Sequence, residues 1–282
     1  MLGAISTTIF GFVARDALQE EIELTQVTYS YQKDDFQKIT LSFQNNPIVI
    51  QKSLTEEIIV KFNHDKFETV TETKIGDALT IKVVSQWYQR LIFGNTLFNI
   101  ANAFVNRSVY VALPEVEYDI YATSYNGGIS VKDLNLANVV FRTDNGEISA
   151  NNVNASALSA DTSNGKVDFK NVNAAQISTT SSNGGVYLNN VVADSIEANT
   201  SNGSISALNI TSPNLKLITS NGNVTATLVG AFVDYRVRVS TSLGNIKINN
   251  QKYSSDTYHA EKTPYINAET SNGNINISFS AD

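Results

Sequence analysis

No cysteine occurs in the chain, which excludes disulfides and thiolate metal sites and leaves the redox compartment open. Imidazole is nearly as scarce: His64 and His259 are the only histidines, each in a polar, turn-like stretch and neither in ligand spacing such as H-x-x-x-H. Both are expected to be exposed rather than to hold a metal. No basic stripe suits nucleic acid. The net charge is −7, the excess acid falls mainly in residues 1–122, and Thr123 to Asn249 balances eight acidic against eight basic residues. A calcium-binding solenoid would carry G-G-x-G-x-D runs, and this chain has none. Long hydrophobic runs are missing as well. The apolar stretch Met1 to Ala14 falls short of the ~20 residues of a membrane-spanning helix and lacks a basic flank. Residues 1–20 therefore read as an apolar N-terminal segment packed on the domain, with the remnant of an anchor, and membrane association through it, as the alternative.

What the chain has instead is a period. Asn-Gly pairs fall at Asn126-Gly127, Asn145-Gly146, Asn164-Gly165, Asn183-Gly184, Asn202-Gly203 and Asn221-Gly222, each 19 residues after the last. Two further copies follow at wider spacing, Leu243-Gly244 and Asn272-Gly273. A fixed period of this size marks a unit that stacks on its neighbour. Two residues before each Asn stands Ser or Thr, as in Ser124, Thr143, Thr162, Ser181, Thr200, Thr219, Thr241 and Thr270. Three after it stands a β-branched aliphatic, from Ile129 and Ile148 to Ile246 and Ile275, and two further on another apolar residue. A single aliphatic recurs at Leu134, Val153, Val172, Val191, Ile210 and Val229, and a second apolar pair such as Leu158 with Ala160 precedes the next Asn. Each unit thus holds two or three short strands joined by tight bends.

The Asn-Gly bend is expected to use positive φ, which both residues tolerate. Such bends serve hairpins and also the corners of a β-solenoid whose coils stack ~4.8 Å apart. Equal intervals favour the solenoid, because stacking like on like requires them and hairpins do not. The predicted fold is all-β: a single-stranded β-solenoid of 19-residue coils over 123–282, with stacked Val and Ile as core and stacked Thr and Asn as hydrogen-bonding ladders.

Residues 21–122 alternate apolar and polar side chains, as in Ile39, Leu41 and Phe43 or Ile58, Val60 and Phe62, and form an all-β region that caps or continues the coil. The aromatic insertion 86–106, with Trp87, Tyr88, Phe93 and Phe98, breaks this order. It reads as a hydrophobic plug over the sheet or as a loop for a partner or membrane. After Asn221 the intervals lengthen to 22 and 29 residues, so chain loops out. The polar segment 249–264, with Tyr253 and Tyr258, is a projection or a flap over the end of the coil. Ile275, Ile277 and Phe279 read as the last, open rung, which that flap or another molecule must cover.

The T-S-N-G-x-[IV] units, preceded by Val109-Tyr110-Val111-Ala112-Leu113-Pro114 and the lead-in Tyr118 to Thr123, resemble the bacterial family of candidate-adhesin β-strand repeat domains, a family labelled as of unknown function. The resemblance runs from about Glu21 to Phe279. It implies a β-solenoid, attachment to bacterial envelopes, a link to envelope stress in some members, and no catalytic residues. The chain departs from it in lacking a clear anchor helix and in carrying Leu243 where Asn is expected.

Some β-helices are polysaccharide lyases or hydrolases, chemistry that needs clustered carboxylates or a metal with a base nearby. Here Asp133, Asp144, Glu147, Asp161, Asp168, Asp194, Glu197 and Asp234 occupy different repeat positions. Asp144 and Glu147 come nearest to a pair and read as solvated surface. No catalytic residue, metal ligand or cofactor is assigned. A row of Asn amides could bond a glycan, but the tight turn accounts for Asn-Gly, and the outward row Ser130, Ser149, Asp168, Tyr187, Ser206 and Thr225 is an ordinary solvated face. The expected function is a non-enzymatic, adhesin-like binding or structural module at a bacterial cell envelope, toward a protein or envelope component. A carbohydrate-active enzyme on a β-helix scaffold and a cytoplasmic regulatory or assembly protein are the alternatives. Specificity is expected in the irregular parts, 86–106 and 249–264, with the stacked faces second.

Overall fold

The computed structural model describes residues 24–85 and 107–281. Trp87, Tyr88, Phe93 and Phe98 and the apolar N-terminal segment lie outside the described residues. The chain opens with β1 (Thr25–Gln32), β2 (Lys38–Ser42), β3 (Ile48–Lys52), β4 (Glu57–His64), β5 (Glu68–Ile75), β6 (Ala78–Ser85), β7 (Val109–Leu113) and β8 (Asp119–Ser124). Four 15-residue strands follow: β9 (Ile129–Thr143), β10 (Ile148–Thr162), β11 (Val167–Ser181) and β12 (Val186–Thr200). Next come β13 (Ile205–Thr211), β14 (Asn214–Thr219), β15 (Val224–Leu228) and a 3-10 turn at Phe232–Asp234. The chain ends with β16 (Arg236–Leu243), β17 (Ile246–Ile248), β18 (Gln251–Tyr253), β19 (Asp256–Tyr258), β20 (Tyr265–Asn272) and β21 (Ile275–Phe279). All of them belong to one sheet.

The sheet is a parallel β-solenoid. Coils pair in strict repeat register, so that Ile129 lies beside Ile148, then Val167, Val186, Ile205 and Val224. Alternation directs these residues inward with Val131, Ala150, Phe169 and Leu188, all buried. Large and small side chains share the core. Phe141 and Phe169, fully buried, stand one rung to either side of the Ala150 and Ala160 rung. Ile210 pairs with Leu228 through a register shift, so Val229 leaves the aliphatic row and is exposed.

The expectation of positive φ at the Asn-Gly corner is not met. Within the repeats from β9 to β13 the left-handed residues are Asp133, Asn152, Asn171, Asn190 and Asn209, with φ between 53° and 58°, each seven residues after an Asn-Gly Asn. These short polar residues bend each long strand, since their side chains tolerate the left-handed region. The Asn-Gly glycines serve close approach instead. A Cβ on Gly146 would overlap the carbonyl of Gly127, one on Gly165 that of Gly146, and so on through Gly184, Gly203 and Gly222. Rungs ~4.8 Å apart leave no room for a side chain there.

Both ends depart from sequence order. Asn45-Asn46-Pro47 occupies the corner below Asn126, because β2 and β3 pair in parallel with β8 and β9, while β6 and β7 form the rung outside them. At the far end β20 and β21 pair with β14 and β15, and β16 and β17 lie outside. Asn272 therefore stacks directly on Asn221, and Leu243 is outermost. The strand of Ile275, Ile277 and Phe279 is thus not an open rung, as the sequence order suggests, but lies between β15 and β17. Antiparallel strands terminate the coil: β5 on β6 and β4 on β7 at one end, β19 on β16 and β18 on β17 at the other. The 249–264 segment is therefore a cap on the outermost rung.

Gly165→Ala is expected to cost ~3 kcal/mol or more by overpacking against backbone. Gly76→Ala meets open space at φ 58° and should cost only the ~1–2 kcal/mol of left-handed strain. Urea unfolding followed by circular dichroism checks the contrast, and equal losses would contradict it. A second outcome concerns alkali. Burial raises the Tyr118 phenol from 10.0 to about 12, and burial followed by a hydrogen bond to Glu72 raises that of Tyr31. Because the folded values exceed the unfolded one, this stabilisation is complete below pH ~10 and lost as pH rises through ~12. Phenolate absorbance of these two tyrosines should therefore appear together with loss of the circular dichroism signal. Ionisation of Tyr118 in a fully folded protein would contradict the burial argument.

Candidate binding groove

From Ser124 to Thr200 the Ser/Thr before each Asn-Gly pair is held twice, while among the described residues Thr219 and Thr270 make only the second of the two bonds. The Gly N–H donates to its oxygen, as Gly127 to Ser124 Oγ (2.9 Å), Gly146 to Thr143 Oγ1 (3.1 Å) and Gly203 to Thr200 Oγ1 (3.1 Å). The hydroxyl donates in turn to the glycine carbonyl of the previous rung, as Thr143 to Gly127 (2.9 Å), Thr200 to Gly184 (2.8 Å) and Thr270 to Gly222 (2.8 Å). Outside these runs a ladder of side-chain amides. Asn126 donates to Asn45, then Asn145, Asn164, Asn183, Asn202, Asn221 and Asn272 each to the one before, at 2.6–2.8 Å. The corner amides are therefore engaged with one another. Gly244 continues the glycine column against Gly273 without an Asn.

Tyr253 and Tyr258 also turn inward. Their rings meet edge to face at 5.1 Å, and both pack on Phe232, which contacts Phe279 and His259 as well. They belong to the aromatic cap of the last rung. His259 is half-buried there, with Nδ1 3.3 Å from the Tyr235 carbonyl, and His64 is half-buried with Nδ1 3.1 Å from the Asp65 carbonyl. The expectation that both are exposed fails, because packing at each cap encloses the ring edges. Among the described residues no group of three or more acidic or histidine side chains could hold a metal.

The acids meet cations. Lys166 lies 3.1 Å from both Glu147 and Asp168, and these contacts raise its pKa, Asp168 first. Lys216 lies 2.7 Å from Glu197 and, with Asn199, lowers the Glu197 pKa. Arg142 meets Asp161 at 3.4 Å. These pairs are largely solvated and each contributes less than about 1 kcal/mol. Asp65 and Glu68 are buried and share Arg107, at 2.8 and 3.0 Å, which ties the start of β7 to the β4–β5 turn. Asp144 and Glu147 are both exposed, the latter engaged by Lys166.

The most site-like feature is a shallow groove of about 350 Å³ along one corner of the coil. Its wall is the row Asn135, Asn154 and Asn173, in which Asn154 donates to Asn135 at 2.7 Å. Its floor is Leu136, Ala155 and Ala174, and the step from Leu to Ala in successive rungs makes the hollow. Glu117 and Asp194 stand at the rim. The row has its own signal in the sequence, three Asn at the 19-residue period, but it spans only three rungs and is weaker than the Asn-Gly column. An amide wall with a small apolar floor and carboxylate rim can hydrogen-bond hydroxyl or amide groups of an extended chain lying along the axis.

The sequence profile of the Toastrack DUF4097 family matches residues 36–278. Solved structures similar to this chain include a candidate adhesin from Bacteroides fragilis NCTC 9343, 12% identical, covering 90% of this chain and 97% of that one with a TM-score of 0.46. A candidate lipid-binding protein from Parabacteroides distasonis ATCC 8503 is 13% identical, with 90% and 96% covered and a TM-score of 0.46. A candidate adhesin from Parabacteroides merdae ATCC 43184 is 11% identical, with 90% and 96% covered and a TM-score of 0.39. No curated protein matches.

Because the groove amides are exposed, Asn154→Ala and Asn173→Ala are each expected to cost no more than about 1 kcal/mol and to leave the fold intact. Urea midpoints and far-ultraviolet circular dichroism check this. Loss of the cooperative transition would mean that the row is structural rather than available.

Proposed function

The chain belongs to the Toastrack DUF4097 family, and from that premise we propose that it is a non-enzymatic, adhesin-like binding module of a bacterial cell envelope. Its partner is an extended envelope component, rich in hydroxyl or amide groups, that lies along the corner groove. The observation that carries this reading is the groove itself: amides of three successive rungs in line, over a floor kept low by alanine. Rung spacing of ~4.8 Å fixes those donors and acceptors before binding, so little ordering entropy is lost at the surface. The placement of the carboxylates supports a non-enzymatic role. Glu147, Asp161, Asp168 and Glu197 each face a cation across or along the rungs, where general acid–base work would need acids facing a common space. Among the described residues no helix is long and apolar enough to cross a membrane. Placement at the envelope would then rest on the partner or on segments beyond the coil.

The test is a pull-down with the full chain from envelope and cytosolic fractions of its own organism. Enrichment of an envelope component is expected, and the Asn154→Ala and Asn173→Ala variants should each weaken that capture about fivefold, the equivalent of one hydrogen bond of ~1 kcal/mol. Capture from the cytosol alone, or capture indifferent to both substitutions, would overturn the proposal.

A further inference from the structure

The chain carries seven Asn-Gly pairs, and Asn followed by Gly is the pair most open to spontaneous loss of the side-chain amide, because Gly puts no side chain in the way. In that reaction the backbone nitrogen of the Gly gives up its proton to solvent base and attacks the Asn Cγ. The Cγ–Nδ2 bond breaks and ammonia leaves, closing a five-membered succinimide. Water then opens the ring at either carbonyl, giving aspartate or isoaspartate. The net change is amide plus water to carboxylic acid plus ammonia, with no oxidant or reductant.

The fold restrains both partners of this step, but unequally. For attack, the side-chain amide must leave the ladder and the Gly nitrogen must be free of its acceptor. At Asn126, Asn145, Asn164, Asn183 and Asn202 the amide both donates and accepts within the ladder. The following Gly N–H is held by a Ser or Thr oxygen at 2.9–3.1 Å. Asn221 keeps both ladder bonds, yet among the described residues no such bond holds the Gly222 N–H. Asn272 donates to Asn221, but the next rung outward presents Leu243, which has no amide to donate, and among the described residues no bond of that kind holds the Gly273 N–H. It is also the exposed end of the ladder, next to a Leu243 side chain that is 71% exposed.

We propose that Asn272-Gly273 is a spontaneous deamidation site of the folded protein, that Asn221-Gly222 follows it more slowly, and that the stacked ladder protects the other five pairs. Each hydrogen bond absent from the restraint is worth a several-fold rate, so Asn272 should convert on the order of tenfold faster than Asn126 to Asn202.

The experiment incubates the full chain at mildly alkaline pH and follows amide-to-acid conversion at each pair by peptide mapping and mass spectrometry. Expected are the order Asn272, then Asn221, then the rest, and comparable rates for all seven in denaturant. Leu243→Asn, on the exposed outer rung, supplies the missing donor and should slow Asn272 several-fold. Thr143→Val should free the Gly146 N–H and speed Asn145. Equal rates in the folded chain would overturn the proposal. So would the same ranking in denaturant, which would trace the order to local sequence, or a Leu243→Asn variant that folds and leaves the Asn272 rate unchanged.

Discussion

The structure depends on a buried hydroxyl that bonds in two directions. At the corners from Thr143 to Thr200 the Ser or Thr oxygen accepts from the N–H of its own glycine and donates to the glycine carbonyl of the rung beneath. One side chain thus closes the turn and fixes the height of the next coil. An unpaired buried polar group costs about 1–3 kcal/mol, so each such hydroxyl holds its own turn and the rung beneath together. The requirement for glycine follows, because only a residue without Cβ lets the carbonyl below come within reach of that hydroxyl. With the corners set, the aliphatic rows have no choice of register, and core packing follows from the turn.

The same logic explains how the stack stops. A parallel coil ends on an unpaired edge, which invites further pairing. Here the chain reverses at both ends and lays antiparallel strands on the outermost rungs, and at one end it adds the ring cluster around Phe232. Leu243 marks the changeover: an amide there would offer the ladder another step. The charged pairs along the faces contribute little to stability, and their exposure fits a solvated surface.

Much of this was legible in the sequence, and for a physical reason. A solenoid repeats its environment every coil, so the Ser/Thr, Asn, Gly and Val/Ile columns report the corner, the ladder and the core directly. What stayed hidden depends on distances between neighbours. Gly165 reads as a flexible turn residue, and only the position of the Gly146 carbonyl shows that space is the constraint. Asn152 and Asn171 look like surface residues, although they bend the strand. The exchange of the 243 and 272 rungs leaves a trace, since Asn272 matches the ladder and Leu243 does not, but chain order argues against it. The groove is written in a column of its own, Asn135, Asn154 and Asn173 beside Ala155 and Ala174, and becomes visible only when register brings those residues side by side.

The tucked position of β21 has a mechanical side. A strand at the edge of a sheet can be peeled away one bond at a time by tension along the chain. β21 is paired in parallel with β15 on one flank and β17 on the other. Tension carried past Phe279 therefore loads two rows of hydrogen bonds in shear at once, and the strand resists as a bolt does rather than as a zip.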